Sequence, residues 1–106
     1  MADIIEVNDG NFAEKVEQAG KPVLVDLWAP WCGPCRSMGE VLKDVAAATD
    51  SVTIAKLNVD ENEETAARLH VSSIPLLVLF KDGQAVAKSV GLIPKDNVLK
   101  FIKDNL

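Results

Sequence analysis

The sequence predicts an α/β fold in which a central mixed five-stranded sheet is flanked by four helices. Three observations carry this. Apolar runs of strand length alternate with segments of helical periodicity along the chain. One run, Val23–Trp28, is apolar on both alternating faces apart from Asp26, as in a central strand covered on both sides. Finally, Asp82-Gly83 between two strand-like stretches is a strong signal for a tight hairpin. The order βαβαβ, then α, then ββα, requires parallel and antiparallel pairs in one sheet.

Ile4 to Val7 is a short apolar run closed by Asn8, Asp9 and Gly10, which gives an opening strand and a turn. Phe12, Val16 and Ala19 follow at helical spacing and Gly20 before Pro22 stops them, predicting a helix over residues 11–19. Asn8 or Asn11 can cap it, and Asn11 with Glu14 resembles a capping box. The second strand is Val23–Trp28. Met38, Val41, Leu42 and Val45 then make one apolar stripe, and Pro34 suits a first helical turn, so a helix runs from about residue 32 to about residue 49.

Residues 52–59 are rich in β-branched side chains between polar clusters and form the third strand. Residues 63–69 start acidic and carry Arg68 late, the charge order that a helix dipole favours. Pro75 to Phe80 is a buried strand joined through Asp82-Gly83 to an antiparallel strand, Gln84 to Val90. Val98, Phe101, Ile102 and Leu106 form the stripe of a last helix, with Lys100 and Lys103 in its later turns. There is no internal repeat or low-complexity stretch.

A chain of 106 residues is sized for one domain, residues 1–106, with one core. Hydrophobic residues at 48% and charged residues at 25% exclude intrinsic disorder. The net charge of −5 repels phosphate backbones and anionic lipid, so neither nucleic acid nor membrane is an expected partner. The longest apolar run, Ile74–Phe80, is far short of the roughly 18 to 20 residues that span a bilayer. Met1-Ala2-Asp3-Ile4 has neither a basic nor an apolar leader pattern, and the expected location is cytoplasmic.

The only two cysteines, Cys32 and Cys35, are separated by Gly33-Pro34 where a strand gives way to a helix. The unpaired N–H groups of a first helical turn point at the Cys32 sulfur and favour its thiolate. Cys35 shares that helix face, so its sulfur can reach Cys32 to open and close a disulfide, with the Cys32 sulfur exposed and Cys35 turned inward. As a staple the bridge is poor, because so short a loop contributes only about 2 kcal/mol. Redox chemistry is the better use. A buried cysteine pair or half a zinc site are the alternatives, but zinc usually needs four ligands and His70 is the only histidine, so no metal is expected. Asp26 interrupts a strand buried on both faces; desolvation raises its proton affinity into a range suited to exchange with a thiol, unless it is a solvated edge-strand aspartate. Trp28 and Trp31 also read as ordinary core and surface aromatics.

Trp28-Ala29-Pro30-Trp31-Cys32-Gly33-Pro34-Cys35 resembles the active-site motif of the thioredoxin family, itself the standing example of a reactive Cys-X-X-Cys. The resemblance continues through Asp26, Lys56, Asn58-Val59-Asp60, Ile74-Pro75, Lys81-Asp82-Gly83, Val90-Gly91 and the last helix, covering essentially the whole chain. It implies the thioredoxin fold and a protein-disulfide reductase. Cys32 is then the nucleophile that forms a mixed disulfide and Cys35 the residue that resolves it, with Gly33 and Pro34 completing the motif. Asp26 helps deprotonate Cys35, and Lys56 tunes Asp26, although an ordinary exposed strand lysine fits that position nearly as well. Trp28 packs under the active-site loop beside Asp60, while Trp31 is exposed beside Cys32 and meets the substrate.

The resemblance also implies a cis Ile74–Pro75 peptide, where sequence alone gives trans, opposite the cysteines and leaving the Ile74 backbone free to hold an extended substrate strand. Gly91 flanks that groove, or is simply a strand-end turn glycine. The implied partners are disulfide-containing target proteins and thioredoxin reductase, a flavoenzyme drawing on NADPH; the chain itself binds no cofactor and acts as a monomer. His70 matches no catalytic residue and reads as a helix-end surface histidine.

Several positions depart from the family pattern. Arg36 replaces a common lysine and keeps its charge, while Ser73 and Leu76 replace a common glycine and threonine beside the substrate strand. Glu40 stands where a helix-kinking proline is usual, so the helix is expected to run unbroken, even with Gly39 costing roughly 1 kcal/mol of helix propensity. An oxidant or isomerase of an exported compartment would favour a more polar or histidine-bearing dipeptide between the cysteines. A binding module with incidental thiols would keep its role without them.

Overall fold

A computed structural model covers residues 1–106. In chain order it contains β1 (Ile4–Glu6), a π-helical turn (Ala13–Glu17), β2 (Val23–Trp28), α1 (Gly33–Ala48), β3 (Thr53–Asn58), α2 (Glu63–Arg68), β4 (Leu76–Lys81), β5 (Gln84–Val90) and α3 (Lys95–Asn105). The strands form one sheet in the order β1-β3-β2-β4-β5. β1, β3 and β2 run parallel, and β4 and β5 are antiparallel additions on the other side of β2. No helix is long and apolar enough to cross a membrane.

Because successive strand side chains point to opposite faces, the sheet divides the core in two. On one face Leu24, Ile54, Leu77 and Leu79 pack against α1 and α3 through Met38, Leu42, Val45, Val98 and Ile102. On the other face Val23, Val25, Leu27, Leu57, Val78 and Phe80 pack against Phe12 and Val16. Each of these buried aliphatic or aromatic side chains stabilises the fold by roughly 1.5 to 3 kcal/mol before entropy is counted. The near-continuous apolar character of β2 thus reflects helical cover on one side and the Phe12 segment on the other. Phe12 meets Phe80 edge-on with ring centroids 5.5 Å apart.

The hairpin turn is as its Asp-Gly pair requires. Asp82 and Gly83 both take positive φ, 53° and 80°, the combination that matches strand twist in a two-residue turn. A side chain at Gly83 would also come within 2.8 Å of the Glu17 carbonyl oxygen, so this glycine lets the hairpin close onto the π-helical turn.

Two local expectations are corrected. The α-helix expected over residues 11–19 is only the five-residue π-helical turn, in which the Gln18 N–H reaches the Ala13 carbonyl five residues back at 2.8 Å. Its capping box with Glu14 does not form. Instead the Asn8 N–H donates to the Asn11 side-chain oxygen and the Asn11 N–H to that of Asn8, at 2.7 and 2.9 Å. The reason is tertiary: Phe12 and Val16 are pulled into the core while Gly83 packs on Glu17, and a wider turn satisfies both anchors.

The N-terminus of α2 is likewise secured from afar. The Asp9 carboxylate accepts the Thr65 N–H at 2.9 Å and the Thr65 hydroxyl at 2.6 Å, while the Asn62 side-chain oxygen accepts the Asp9 N–H at 2.9 Å. The hydrogen bond from the Thr65 side chain holds the Asp9 carboxyl below the ordinary aspartate value, against a smaller desolvation effect.

Candidate active site

The end of β2 and the start of α1 place the two cysteines. Cys32 is the residue just before α1, in extended conformation (φ −89°, ψ 108°), and its Sγ accepts the Cys35 N–H at 3.2 Å. Pro34 sits in the first turn, where an N–H has no intrahelical acceptor to lose. Gly33, the first residue of α1, has open space where a side chain would be. Cys32 and Cys35 are disulfide-bonded, with Cα atoms 5.2 Å apart.

The expected contrast between an exposed Cys32 and an inward Cys35 is not found in this oxidised state: the two residues are 5% and 3% exposed. Ala29 is buried with the pair, and Trp28, Val59 and Ile74 pack around them, so both sulfurs are shielded on the protein side. Trp28 therefore does lie against the active-site loop. The Asp60 carboxylate accepts the Trp31 indole N–H at Oδ2, at 2.9 Å. The Trp28 indole N–H is buried without a partner. Trp28 instead stacks under the Lys56 ammonium, which lies 5.1 Å from its ring centroid.

Asp26 is fully buried, and neither carboxylate oxygen has a hydrogen-bond partner. The period-2 alternation from Leu24 puts it on the sheet face that α1 covers, with Lys56 of β3 and Leu77 of β4 directly beside it in register. Burial pushes its carboxyl up to about 7, and the positive charge of Lys56 opposes that rise. A cleft of about 260 Å³ reaches its register neighbour Lys56 and is lined by Trp28, Cys35, Gly39 and the outer residues of α1. By sequence alone Gly39 carries a helix-propensity cost and room for a kink, and no part in the site. The structure places it against the Lys56 ammonium, 3.4 Å from where a Cβ would stand. A glycine inside a strongly periodic helix was the available signal.

Helix α1 is continuous from Gly33 to Ala48, with no break at Glu40, whose exposed side chain pairs with Lys43 at 3.2 Å. Across from the cysteines, the Ile74–Pro75 peptide is cis. Ile74 packs on the disulfide, and neither its N–H nor its carbonyl is taken by a backbone hydrogen bond. The Pro75 ring is buried, which leaves the Ile74 backbone as the accessible element. Gly91 donates its N–H to the Pro75 carbonyl at 2.8 Å, adopts φ 90°, and faces open space. Trp31, Val90 and Leu92 are all exposed apolar residues, and the last two flank Gly91.

His70 is exposed at φ 55° just past α2, and no three His, Cys, Asp or Glu side chains converge on a point that would hold a metal. The arrangement brings together two sulfurs at a helix start, a buried carboxyl in the strand that leads to them, and an Ile74 backbone free of backbone hydrogen bonds.

Comparison with known proteins agrees. The Thioredoxin family model matches residues 3–104. The chain is 42% identical over 107 residues to a thioredoxin of Haemophilus influenzae, covering all of both chains. It is 50% identical to one of Alicyclobacillus acidocaldarius, over 94% of this chain and 95% of that one. It is 51% identical to one of Mycobacterium bovis, over 94% of this chain and 87% of that one. With its Cys32–Cys35 pair set in this fold, the chain belongs to the thioredoxin family and is a thiol-disulfide oxidoreductase that reduces protein disulfides.

Proposed function

We propose that reduction proceeds by the following division of labour. In the dithiol form the Cys32 thiolate, stabilised by the Cys35 N–H at the start of α1, attacks one sulfur of a target disulfide. The Cys32–target S–S bond forms, the target's own S–S bond breaks, and the released target sulfur takes a proton. Asp26 as carboxylate then accepts the Cys35 proton. The Cys35 thiolate attacks the Cys32 sulfur, closes the Cys32–Cys35 disulfide and expels the second target thiolate, which is protonated in turn. Two electrons and two protons have passed to the target. Lys56 sets how readily Asp26 gives up and regains its proton, with Gly33 and Pro34 holding the turn that brings the sulfurs together.

The target lies as an extended segment on the free Ile74 backbone beside Pro75, between exposed Trp31 and Gly91, where a side chain would obstruct it. Trp28 and Asp60 support this surface, the first beneath the cysteines and the second by anchoring the Trp31 ring. Electrons for the next cycle come from thioredoxin reductase, a flavoenzyme using NADPH, and the chemistry belongs to the reducing cytoplasm. The protein works as a monomer folded as one domain over residues 1–106, with no bound cofactor or metal.

One observation supports this reading: the Cys32 sulfur receives the helix-start N–H of Cys35, and Lys56, which lines the cleft that reaches Cys35, stands in register beside the buried and unpartnered Asp26. The test is trapping. Cys35→Ser should accumulate a mixed disulfide with insulin through Cys32, and iodoacetamide at neutral pH should label Cys32 of the reduced protein first. Preferential labelling of Cys35, or no trapped species, would reverse the assignment. Insulin reduction sustained by NADPH and a thioredoxin reductase tests the electron supply.

A further inference from the structure

Lys56 stands between two carboxylates. In the parallel registers of the sheet it lies directly across from Asp26 on β2 and from Glu6 on β1, so all three side chains emerge on the same face. It belongs to none of the ion pairs of the structure. Two clefts meet at the Lys56–Trp28 stack. The 260 Å³ cleft on one side reaches Cys35 and Gly39, whereas a cleft of about 480 Å³ on the other is lined by Glu6, Asn58 and Glu61. The ammonium can serve either side, and something must decide which.

We propose that Gly39 is a positioning residue: by presenting no side chain, it seats the Lys56 ammonium against α1, toward Asp26 of β2 rather than Glu6 of β1. The geometry is direct, since a Cβ at Gly39 would stand 3.4 Å from Lys56 Nζ, already in contact, and any further atom would claim the seat. Displaced from there, the lysine side chain can turn into the larger cleft, where Glu6 and Glu61 compete for its charge. Of the residues in register with Asp26, Lys56 is the one cation, while Arg36 and Lys43 of the same cleft are exposed and Lys43 is paired with Glu40. β4 offers Leu77, and α1 offers Cys35, with Arg36, Glu40 and Lys43 along the cleft wall. The helix-propensity cost of a glycine inside α1 is thus explained by what its absent side chain admits. The inference deepens the proposed role of Asp26.

The test reads the Asp26 carboxyl by carbon NMR across pH in the oxidised protein, for Gly39→Ala and Gly39→Val, each alone and combined with Lys56→Met. Added bulk should raise the midpoint in the order Gly, Ala, Val, by about half a unit or more for Val, a fraction of what a neighbouring opposite charge is worth. In the Lys56→Met background the same substitutions should move it little. Gly39→Ala favours the helix intrinsically, so the series remains readable even where Gly39→Val folds poorly. A midpoint unmoved by either substitution, or moved equally without Lys56, would overturn the proposal. The titration needs no turnover. If the midpoint moves while the pH profile of insulin reduction does not, the seat stands and Asp26 loses its role in proton transfer.

Discussion

Trp31 donates its indole N–H to the Asp60 carboxylate at 2.9 Å although the residue is 70% exposed, so a large apolar ring is held still at the rim of the disulfide. Trp31→Phe keeps a ring and removes the tether. Stability should change by no more than about 1 kcal/mol, the usual worth of one exposed hydrogen bond. KM for a protein disulfide should rise severalfold, while reduction of a small disulfide that does not touch the ring stays unchanged. Equal losses on both substrates would show that Trp31 acts on the sulfur chemistry rather than on docking.

Asp26 is expected to cost stability. Its carboxyl lies near 7 in the fold against an ordinary 3.8, so the folded state holds its proton more tightly than the unfolded chain. The penalty is absent below pH 3.8, grows as pH rises, and is complete above pH 7, where it is of order 4 kcal/mol. Asp26→Ala should therefore be more stable than the parent at pH 8, less a cavity cost of about 1 kcal/mol, and lose that advantage at pH 4. Urea midpoints at the two pH values measure it. Reduction of insulin by this variant should be slower.

Asp9 has the opposite sign. Held below its ordinary value by the Thr65 side chain, it contributes stability that is present above pH 3.8 and is lost as pH falls through its lower folded value. Asp9→Ala should loosen α2 first. Amide hydrogen exchange at residues 65–67 should quicken at pH 6, and the difference from the parent should vanish in acid. A uniform loss across the sheet would mean that Asp9 is not a local cap.

Gly91 combines a backbone demand with an open face. At φ 90° a side chain costs roughly 1 to 2 kcal/mol, yet it would meet no atom of this chain. Gly91→Ala should lower stability by about that amount, and Gly91→Leu should add a large rise in KM for protein targets beyond it. If both variants lose stability alike and KM is unchanged, the groove does not pass over Gly91.

Strands β2 and β5 could be read from the sequence residue for residue, and α1 to within a residue or two, because each is set by a local pattern. An apolar run covered on both faces, an Asp-Gly turn and a stripe at i, i+3, i+4, i+7 need no knowledge of distant residues. The cysteine pair at a strand-to-helix junction was legible for the same reason, since helix-start N–H groups lie within the same few residues. The burial of Asp26 was legible too, from the apolar neighbours that flank it in one strand.

What distant segments impose was not legible. The Phe12 segment became a π-helical turn because core anchors and the Gly83 hairpin fix its two ends. Asp9 caps a helix 56 residues away. Asp60 accepts the Trp31 indole N–H, and Cys32 is buried in the disulfide state because Ile74 and Val59 arrive from other parts of the chain. Gly39 looked like a flaw in a helix until the sheet brought Lys56 against it. Local periodicity fixes which faces are apolar and where elements begin and end. Which side chains meet across the sheet depends on register and packing, which are decided only when the whole core closes.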